Sequence, residues 1–209
     1  MFAQVESGSI TSFPKGNKGI QIGDNNYPRT IYTLWTESER NAIGIYTIEI
    51  DETNRKDEAW YINTDITYAF GSGKVTGSYG TATAKKHADT TWTQAQIDDA
   101  SLVGQAPDGA DTNTVRLEGL KTVLIRAVKV QAEGILNETD WYITRKAEKS
   151  TAIPSAITTH RDAVRTKQAA METAITNASD TPALETLYAY TEQEDGSVTR
   201  PLGEIPILE

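Results

Sequence analysis

The sequence predicts an α+β fold, in which a small antiparallel β-rich N-terminal domain precedes an α-helical hairpin or bundle and a short C-terminal extended or hairpin arm. Residues 10–84 form short segments rich in Thr, Ile, Tyr and Trp and broken by Gly, Asn and Asp, as is typical of strands. Residues 114–137 repeat apolar side chains every three or four positions, as an amphipathic helix does. Residues 157–178 carry apolar side chains seven positions apart, which indicates a helix that pairs lengthwise with another.

The first part of the chain, residues 1–90, is predicted to be a β-rich domain that anchors the chain in an assembly or decorates the surface of that assembly. Between the first two of its strands, Thr36 and Glu39 have the spacing of a capping box, so we expect a short helical turn there. AFGSGKV, residues 69–75, lacks the glycine and hydroxyl positions of a phosphate-binding loop and indicates a hairpin turn. The predicted strands span residues 30–35, 44–51, 58–70 and 74–83.

A connector is predicted over residues 91–114, with a short helix over residues 93–100, because strand alternation gives way to polar and small residues. A helix is then predicted from about residue 114 to residue 137. Gly119 and Gly134 would each weaken this helix in isolation by about 1 kcal/mol relative to alanine, so packing has to hold it. Its apolar face comprises Leu117, Leu120, Leu124, Ala127, Val128 and Ile135, widened by Val123, Ile125 and Val130.

A second helix is predicted after Lys149, with Pro154 in the first turn, where its missing N–H carries no penalty. A narrow apolar seam runs along this helix, and such a seam pairs either within the chain or across an oligomer axis. We expect residues 115–179 to be a helical oligomerisation or docking region, with a homotrimer as the assembly, and residues 180–209 to be the C-terminal arm. The seam consists of Ile157, Val164, Met171 and Ala178.

Composition limits the classes of partner. The formal net charge is −9, which disfavours nucleic acid or an anionic membrane as the main partner, and we expect neither. The absence of cysteine excludes disulfides and thiolate chemistry. The sequence has no apolar run long enough to predict a membrane-spanning helix, and its N-terminus lacks the pattern of a signal peptide.

The residues that catalysis or a metal site would need are sparse. The two histidines, His87 and His160, lie far apart and no serine stands in the G-x-S-x-G pattern of a nucleophile elbow, which disfavours a catalytic triad or a zinc site. The acidic segments at residues 107–114 and 191–198 lack the ligand spacing of a calcium loop. We therefore expect no cofactor, no metal and no enzymatic activity. Aromatic side chains that could stack on a sugar, but that more often fill a sheet face, are Trp60, Tyr61, Tyr68 and Tyr79.

The candidate interaction residues cluster around residues 138–165. Asp140 is expected to cap a helix over residues 141–149, which places Arg145 on the same face as Trp141, where its guanidinium can lie over the indole or reach a carboxylate. Two arginines repeat this four-residue spacing on the next helix. We interpret the segment as a helical hairpin latched by aromatic and arginine contacts, with contact to phosphate or nucleic acid as the alternative. The predicted interaction residues are Trp141, Tyr142, Arg145, Arg161, Arg165, Ile157, Val164 and Met171.

Two motifs carry a resemblance to a known family. NYPRTIYTLWTESERNAIGI, residues 26–45, places Tyr-Pro before an aromatic segment, a Glu-Arg pair and Ile-Gly-Ile. DWYITRKAEKSTAIPSAITTHRDAVR, residues 140–165, has Asp-Trp-Tyr-x-x-Arg-x-x-Glu followed by a proline and a helix. In these motifs and their order the chain resembles the tail-fibre-related and tail-fibre-assembly-like proteins of tailed bacteriophages. His160 departs from the aromatic residue usual in that family, and we expect this to alter helix packing only.

The resemblance implies a structural part in the tail of a phage virion, made in the host cytoplasm and assembled with other phage tail proteins. It transfers no catalytic residues. A tail-fibre assembly chaperone that is not retained in the particle is the first alternative, and a host-glycan-binding module is the second.

Overall fold

The computed structural model describes residues 1–99 and 105–208, and it confirms the α+β class. The chain divides into two compact units, Met1–Thr83 and Ala84–Glu209. In chain order the first unit contains β1 (Phe2–Glu6), β2 (Ser9–Ser12), β3 (Ile20–Ile22), β4 (Asn25–Tyr27), α1 (Ile31–Leu34), α2 (Glu37–Ala42), β5 (Ile45–Asp51), β6 (Tyr61–Ile62), β7 (Ile66–Gly71) and β8 (Lys74–Tyr79), and β9 (Thr83–Ala84) lies at the boundary.

The main sheet of the first unit is mixed, so the prediction of an antiparallel sheet is wrong at one strand pair. The strand order is β2-β1-β5-β8-β7. The pairs β1–β2, β1–β5 and β7–β8 are antiparallel, but β5 and β8 are parallel, with Ile48 opposite Val75. The hairpin β7–β8 turns at Ser72 and Gly73, which both have positive φ, and this turn makes β7 antiparallel to β8 at the edge of the sheet.

Residues 30–35 form the helical turn α1, so the prediction of a strand there is wrong. Ile31 and Tyr32 are adjacent in sequence, yet both are buried in one apolar cluster with Ile45. Successive side chains of a strand point to opposite faces, whereas a helical turn can direct two neighbours to one side. The Ile31 N–H donates to the Pro28 carbonyl at 3.2 Å, which begins the turn directly after the proline.

The predicted capping box is confirmed at the start of α2. The Glu39 N–H donates to the Thr36 hydroxyl, and the Thr36 N–H donates to the Glu39 carboxylate at 2.8 Å. The hydrogen bonds that the Thr36 N–H and hydroxyl donate to the Glu39 carboxylate hold the pKa of Glu39 below its ordinary value. After the helix the chain passes Gly44, whose φ of 81° is costly for any other residue and lets β5 begin at once.

The second unit is built on two long helices. In chain order it contains β10 (Thr90–Thr91), α3 (Gln94–Ile97), β11 (Val115–Leu117), α4 (Leu120–Asn137), α5 (Asp140–Lys149), α6 (Ser155–Asn177), α7 (Thr181–Tyr188), β12 (Thr191–Glu192) and β13 (Val198–Thr199). Helix α4 packs along α6, with Val128 and Ala132 buried on one and Val164 and Met171 on the other. The predicted helix over residues 93–100 is present as α3, and its last predicted residue lies outside the described residues.

Helix α4 begins at Leu120, so the predicted start near residue 114 is wrong. Val115–Leu117 pairs instead with Thr90–Thr91 as a strand. Gly119 caps the helix, and a side chain there would lie 2.3 Å from the Ala88 backbone, so only glycine allows this approach. The Gly119 N–H and the Thr122 hydroxyl donate to the Asp89 carboxylate at 2.6 and 2.8 Å, which fixes the first turn.

The C-terminal arm is a hairpin that folds back on its own unit. β12 and β13 pair antiparallel across the predicted turn. Leu202 and Ile205 are buried, and the Lys167 ammonium of α6 donates to the Leu202 carbonyl at 2.8 Å. Among the described residues, no helix is long and apolar enough to cross a membrane.

Candidate interaction surface

A buried arginine joins the corner between α4 and α5 to α6. The Arg161 side chain is 8% exposed, and its guanidinium donates to the Leu136 carbonyl at 2.7 Å and to the Thr139 hydroxyl at 2.6 Å. It also forms an ion pair with Asp140 at 2.8 Å. Leu136 lies in the last turn of α4, and its carbonyl also accepts the Thr139 N–H at 3.1 Å. Arg161 therefore adds a charged donor at the end of one helix and pairs with the start of the next.

The predicted role of Asp140 as a helix cap is wrong, because its carboxylate is used by Arg161. Thr139 precedes the first residue of α5 and forms no cap hydrogen bond with its side chain, whose hydroxyl donates to the Leu136 carbonyl at 3.0 Å. Asp140 is instead the acidic partner of Arg161 on α6. It lies in the first turn of α5, where a negative charge is also favoured by the helix dipole.

An aromatic and arginine cluster lies on the first two turns of α5, directly after Asp140. The rings of Trp141 and Tyr142 lie 3.8 Å apart between centroids, with 31° between their planes. The Arg145 guanidinium carbon lies 4.7 Å from the Trp141 ring centroid and 5.2 Å from that of Tyr142. The predicted contact between Arg145 and the indole is therefore confirmed. Stacking on two rings holds the arginine side chain in one orientation.

Helix α5 contributes no residue to the core of its unit. None of its residues is buried, and Trp141 and Ile143 are 52% and 43% exposed. A helix of this length is marginal in water on its own. Its position is set by the Arg161 contacts at its first turn, and the aromatic and arginine cluster is left at the surface.

The remaining predicted interaction residues divide into two groups. Ile157, Val164 and Met171 are buried inside the second unit, so the heptad seam of α6 is covered by the chain itself. Arg165 does not join the contacts of Arg161. It pairs with Asp162 on its own helix at 3.7 Å and lines an open groove of about 660 Å³ beside Glu172.

A second arginine cluster, in the C-terminal hairpin, was not predicted from the sequence. The Arg200 guanidinium carbon lies 5.2 Å from the ring centroids of both Tyr188 and Tyr190, and its side chain pairs with Glu204 at 2.7 Å. Burial raises the pKa of Tyr188, and the hydrogen bond donated to Glu204 raises that of Tyr190. In the sequence, only the alternation of Tyr188 and Tyr190 indicates an aromatic surface here. The hairpin brings Arg200 back to these rings, and that contact could not be predicted from the spacing of the residues.

His160 lies on α6 beside the Arg161 contacts, and it is buried. Its Nε2 has no hydrogen-bond partner among the described residues. The imidazole lies in the packing of α6, and the expectation that it alters helix packing only stays a prediction.

The aromatic side chains considered for sugar stacking lie in the first unit. Trp60 is buried, Tyr68 packs against the sheet core, and Tyr79 lies under the Arg55 guanidinium at 5.9 Å. A separate groove of about 540 Å³ runs beside residues 12–20 and is also lined by Tyr32, whose buried hydroxyl has no described partner. Burial raises the pKa of Tyr32.

Within residues 1–99 and 105–208, no three His, Cys, Asp or Glu side chains are grouped so that they could hold a metal ion. In comparisons with known proteins, no protein-family model, no curated protein and no solved structure matches this chain.

Proposed function

We propose that this chain is a structural component of a tailed-phage virion, in a tail fibre, a fibre adaptor or the baseplate, and that it acts by protein–protein assembly. The observation that carries the proposal is the cluster of Trp141, Tyr142 and Arg145 on α5, a helix with no buried residue, in which the Trp141 side chain is exposed while Tyr142 and Arg145 are half-buried. The resemblance of the motifs at residues 26–45 and 140–165 to tail-fibre-related proteins supports the same role.

The chemistry of the cluster suits a protein partner. Tryptophan, tyrosine and arginine are the residues that most often dominate the free energy of protein–protein binding. Half of the Trp141 surface is exposed, so a partner that covers it gains apolar contact. Stacking already orders the Arg145 side chain, which lowers the entropy lost on binding.

The contacts of Arg161 orient the cluster on α5, because they hold the first turn of that helix. Because Arg161 bonds the Leu136 carbonyl, the Thr139 hydroxyl and the Asp140 carboxylate together, the first turn of α5 keeps one orientation. A preorganised helix presents its side chains at a fixed spacing to a groove in another tail protein. The homotrimer was predicted from the α6 seam, and that seam is buried inside the chain, so the trimer stays a prediction without this support.

Peptide mass spectrometry of gradient-purified virions tests the role directly. We expect this chain to be present in a fixed ratio to the known tail proteins of the particle. Its absence from particles, together with binding to a tail-fibre protein before assembly, would instead support the assembly chaperone. Absence together with no binding to any tail protein would contradict the proposal.

Variants of the cluster test the surface. Trp141→Ala and Arg145→Ala should each weaken binding to the tail partner by about tenfold or more, since loss of a central interface anchor costs about 2 kcal/mol. Ile207→Ala, at a side chain 74% exposed in the C-terminal arm, is the control and should leave binding unchanged. Unchanged binding in both cluster variants, measured by calorimetry, would refute the surface.

A further inference from the structure

The face of α4 that points away from α6 carries an apolar stripe, which we call the outer stripe. Val123 and Val130 are 45% and 61% exposed. A side chain built at Gly134 would have open space, with no atom of the described chain within 4 Å. The outer stripe consists of Val123, Ala127, Val130 and Gly134.

The fold of the single chain does not explain these residue types. Valine loses side-chain freedom in a helix, and Gly134 is a poor helix former at a position that needs neither positive φ nor close packing. Exposed positions on a helix are better filled by long polar residues. The outer stripe therefore has the composition of a surface that another helix covers.

The spacing of the outer stripe specifies how two helices could meet on it. Its residues are four, three and four positions apart, which is the alternation of the two core positions in a heptad. In an antiparallel pair of identical helices, Val123 faces Gly134 of the second copy and Ala127 faces Val130 of the second copy. Each larger side chain thus meets a smaller one, which allows close packing.

Charge selects the antiparallel arrangement. Arg126 and Glu133 flank the outer stripe on the same side, and in the antiparallel pair each Arg126 faces Glu133 of the second copy. Arg126 is 58% exposed and already pairs with Glu118, whereas Glu133 forms no ion pair among the described residues. A parallel pair would instead place Glu133 against Glu138 of the second copy, and these like charges repel.

We propose that two copies of this chain pair through the outer stripe of α4, antiparallel, about a two-fold axis that passes between Ala127 and Val130. A two-fold axis requires every contact to occur twice, and the Arg126–Glu133 and Ala127–Val130 contacts meet this requirement. The pairing uses a surface separate from the cluster on α5, so it does not depend on the proposed tail role.

The native mass of the full chain tests the stoichiometry. Pairing through one helix from each copy buries little surface, so the protein concentration has to be high. Sedimentation equilibrium at chain concentrations up to about 100 µM should give the mass of two chains. Val130→Glu should give one chain with an unchanged circular dichroism spectrum. A mass of one chain or of three chains for the unsubstituted protein would overturn the proposal.

Single cysteines test the direction of pairing, and the chain provides a clean background because it contains no cysteine. Ala127→Cys and Val130→Cys should each crosslink poorly with themselves under mild oxidation. A mixture of the two should crosslink efficiently, since residue 127 of one copy faces residue 130 of the other at disulfide distance. Crosslinking of each variant with itself as efficiently as in the mixture would overturn the antiparallel arrangement.

The proposed contact between Arg126 and Glu133 gives an independent test of the direction of pairing. Glu133→Arg should weaken the antiparallel dimer about tenfold, because it brings two arginines together, yet it would strengthen a parallel dimer through Glu138. Glu148→Arg makes the same charge change on α5, away from the outer stripe, and should leave the dimer unchanged. Equal effects of the two substitutions would contradict the proposed contact.

Discussion

The residue that most constrains the second unit is Arg161. Its side chain is charged and only 8% exposed, a combination that a protein tolerates only when the guanidinium is paired and hydrogen-bonded. Its partners come from the end of α4, the α4–α5 corner and the start of α5. One side chain of α6 therefore sets the geometry of two preceding segments.

Arg161→Met should lower the free energy of unfolding by about 2–3 kcal/mol, because the Leu136 carbonyl and the Thr139 hydroxyl lose charged hydrogen bonds. Arg165→Met is the matched control on the same helix. Its exposed pair with Asp162 contributes less than about 0.5 kcal/mol. Urea unfolding followed by circular dichroism measures both, and equal losses would contradict the role of Arg161.

Tyr32→Phe should stabilise the first unit by up to about 1 kcal/mol, because the buried hydroxyl has no described hydrogen-bond partner and its removal recovers a desolvation penalty. Thermal unfolding measures this change. A loss of stability would show that the hydroxyl is satisfied in solution. Tyr27→Phe, at a half-buried tyrosine of the same unit, is the control for loss of a phenol.

At the scale of elements, Gly134 is the least favourable residue in the middle of α4. Its φ lies outside the left-handed region and the space around it is open, so alanine fits without strain. Gly134→Ala should therefore raise the free energy of unfolding by about 1 kcal/mol, measured at low protein concentration where single chains dominate. Gly119→Ala should instead destabilise, because its Cβ would meet the Ala88 backbone.

Elements defined by local interactions could be predicted from the sequence, and elements defined by distant partners could not. The Thr36–Glu39 capping box and the Ser72–Gly73 hairpin depend on neighbouring residues only, and both were expected. Residues 30–35 have the composition of a strand, but a helical turn forms there and buries the adjacent Ile31 and Tyr32 on one side. Val115–Leu117 continues the apolar period of α4, yet its pairing with Thr90–Thr91 removes it from the helix.

The same distinction applies to the interaction surface. The contact of Arg145 with Trp141 follows from a four-residue spacing on one helix, so it was expected. Arg161 was identified as a docking residue, but its bond to the Leu136 carbonyl depends on where α4 ends in space. Backbone acceptors of this kind leave no signal in a sequence, since every residue has one.

At the scale of the whole molecule, both units contain carboxylates whose protonation in acid should lower the stability of the fold. Hydrogen bonds from Thr36 hold the pKa of Glu39 low in the first unit. In the second, hydrogen bonds to Thr114 and Asn113 lower the pKa of Asp111, and hydrogen bonds to Ser197 lower that of Asp195. A lowered pKa in the folded state contributes stability above the ordinary pKa, and this contribution is lost as pH falls through the lower value.

The thermal midpoint should therefore fall once pH drops below the ordinary pKa values of 4.5 for Glu39 and 3.8 for Asp111 and Asp195, and continue to fall as pH passes through the lower folded values. Glu39→Gln should reduce the acid dependence, with Glu37→Gln, another acid in the first turn of the same helix, as the control. Calorimetry over this pH range measures the change. A midpoint that rises on acidification would contradict the assignment.

The absence of any buried residue in α5 has a consequence for local opening. Because its attachment depends on Arg161 and not on a core face, α5 can unfold while α4 and α6 stay paired. Its backbone amides should then exchange with deuterium much faster than those of its two long neighbours. Slowing of this exchange would report directly that a partner has covered Trp141, without any need to know what that partner is.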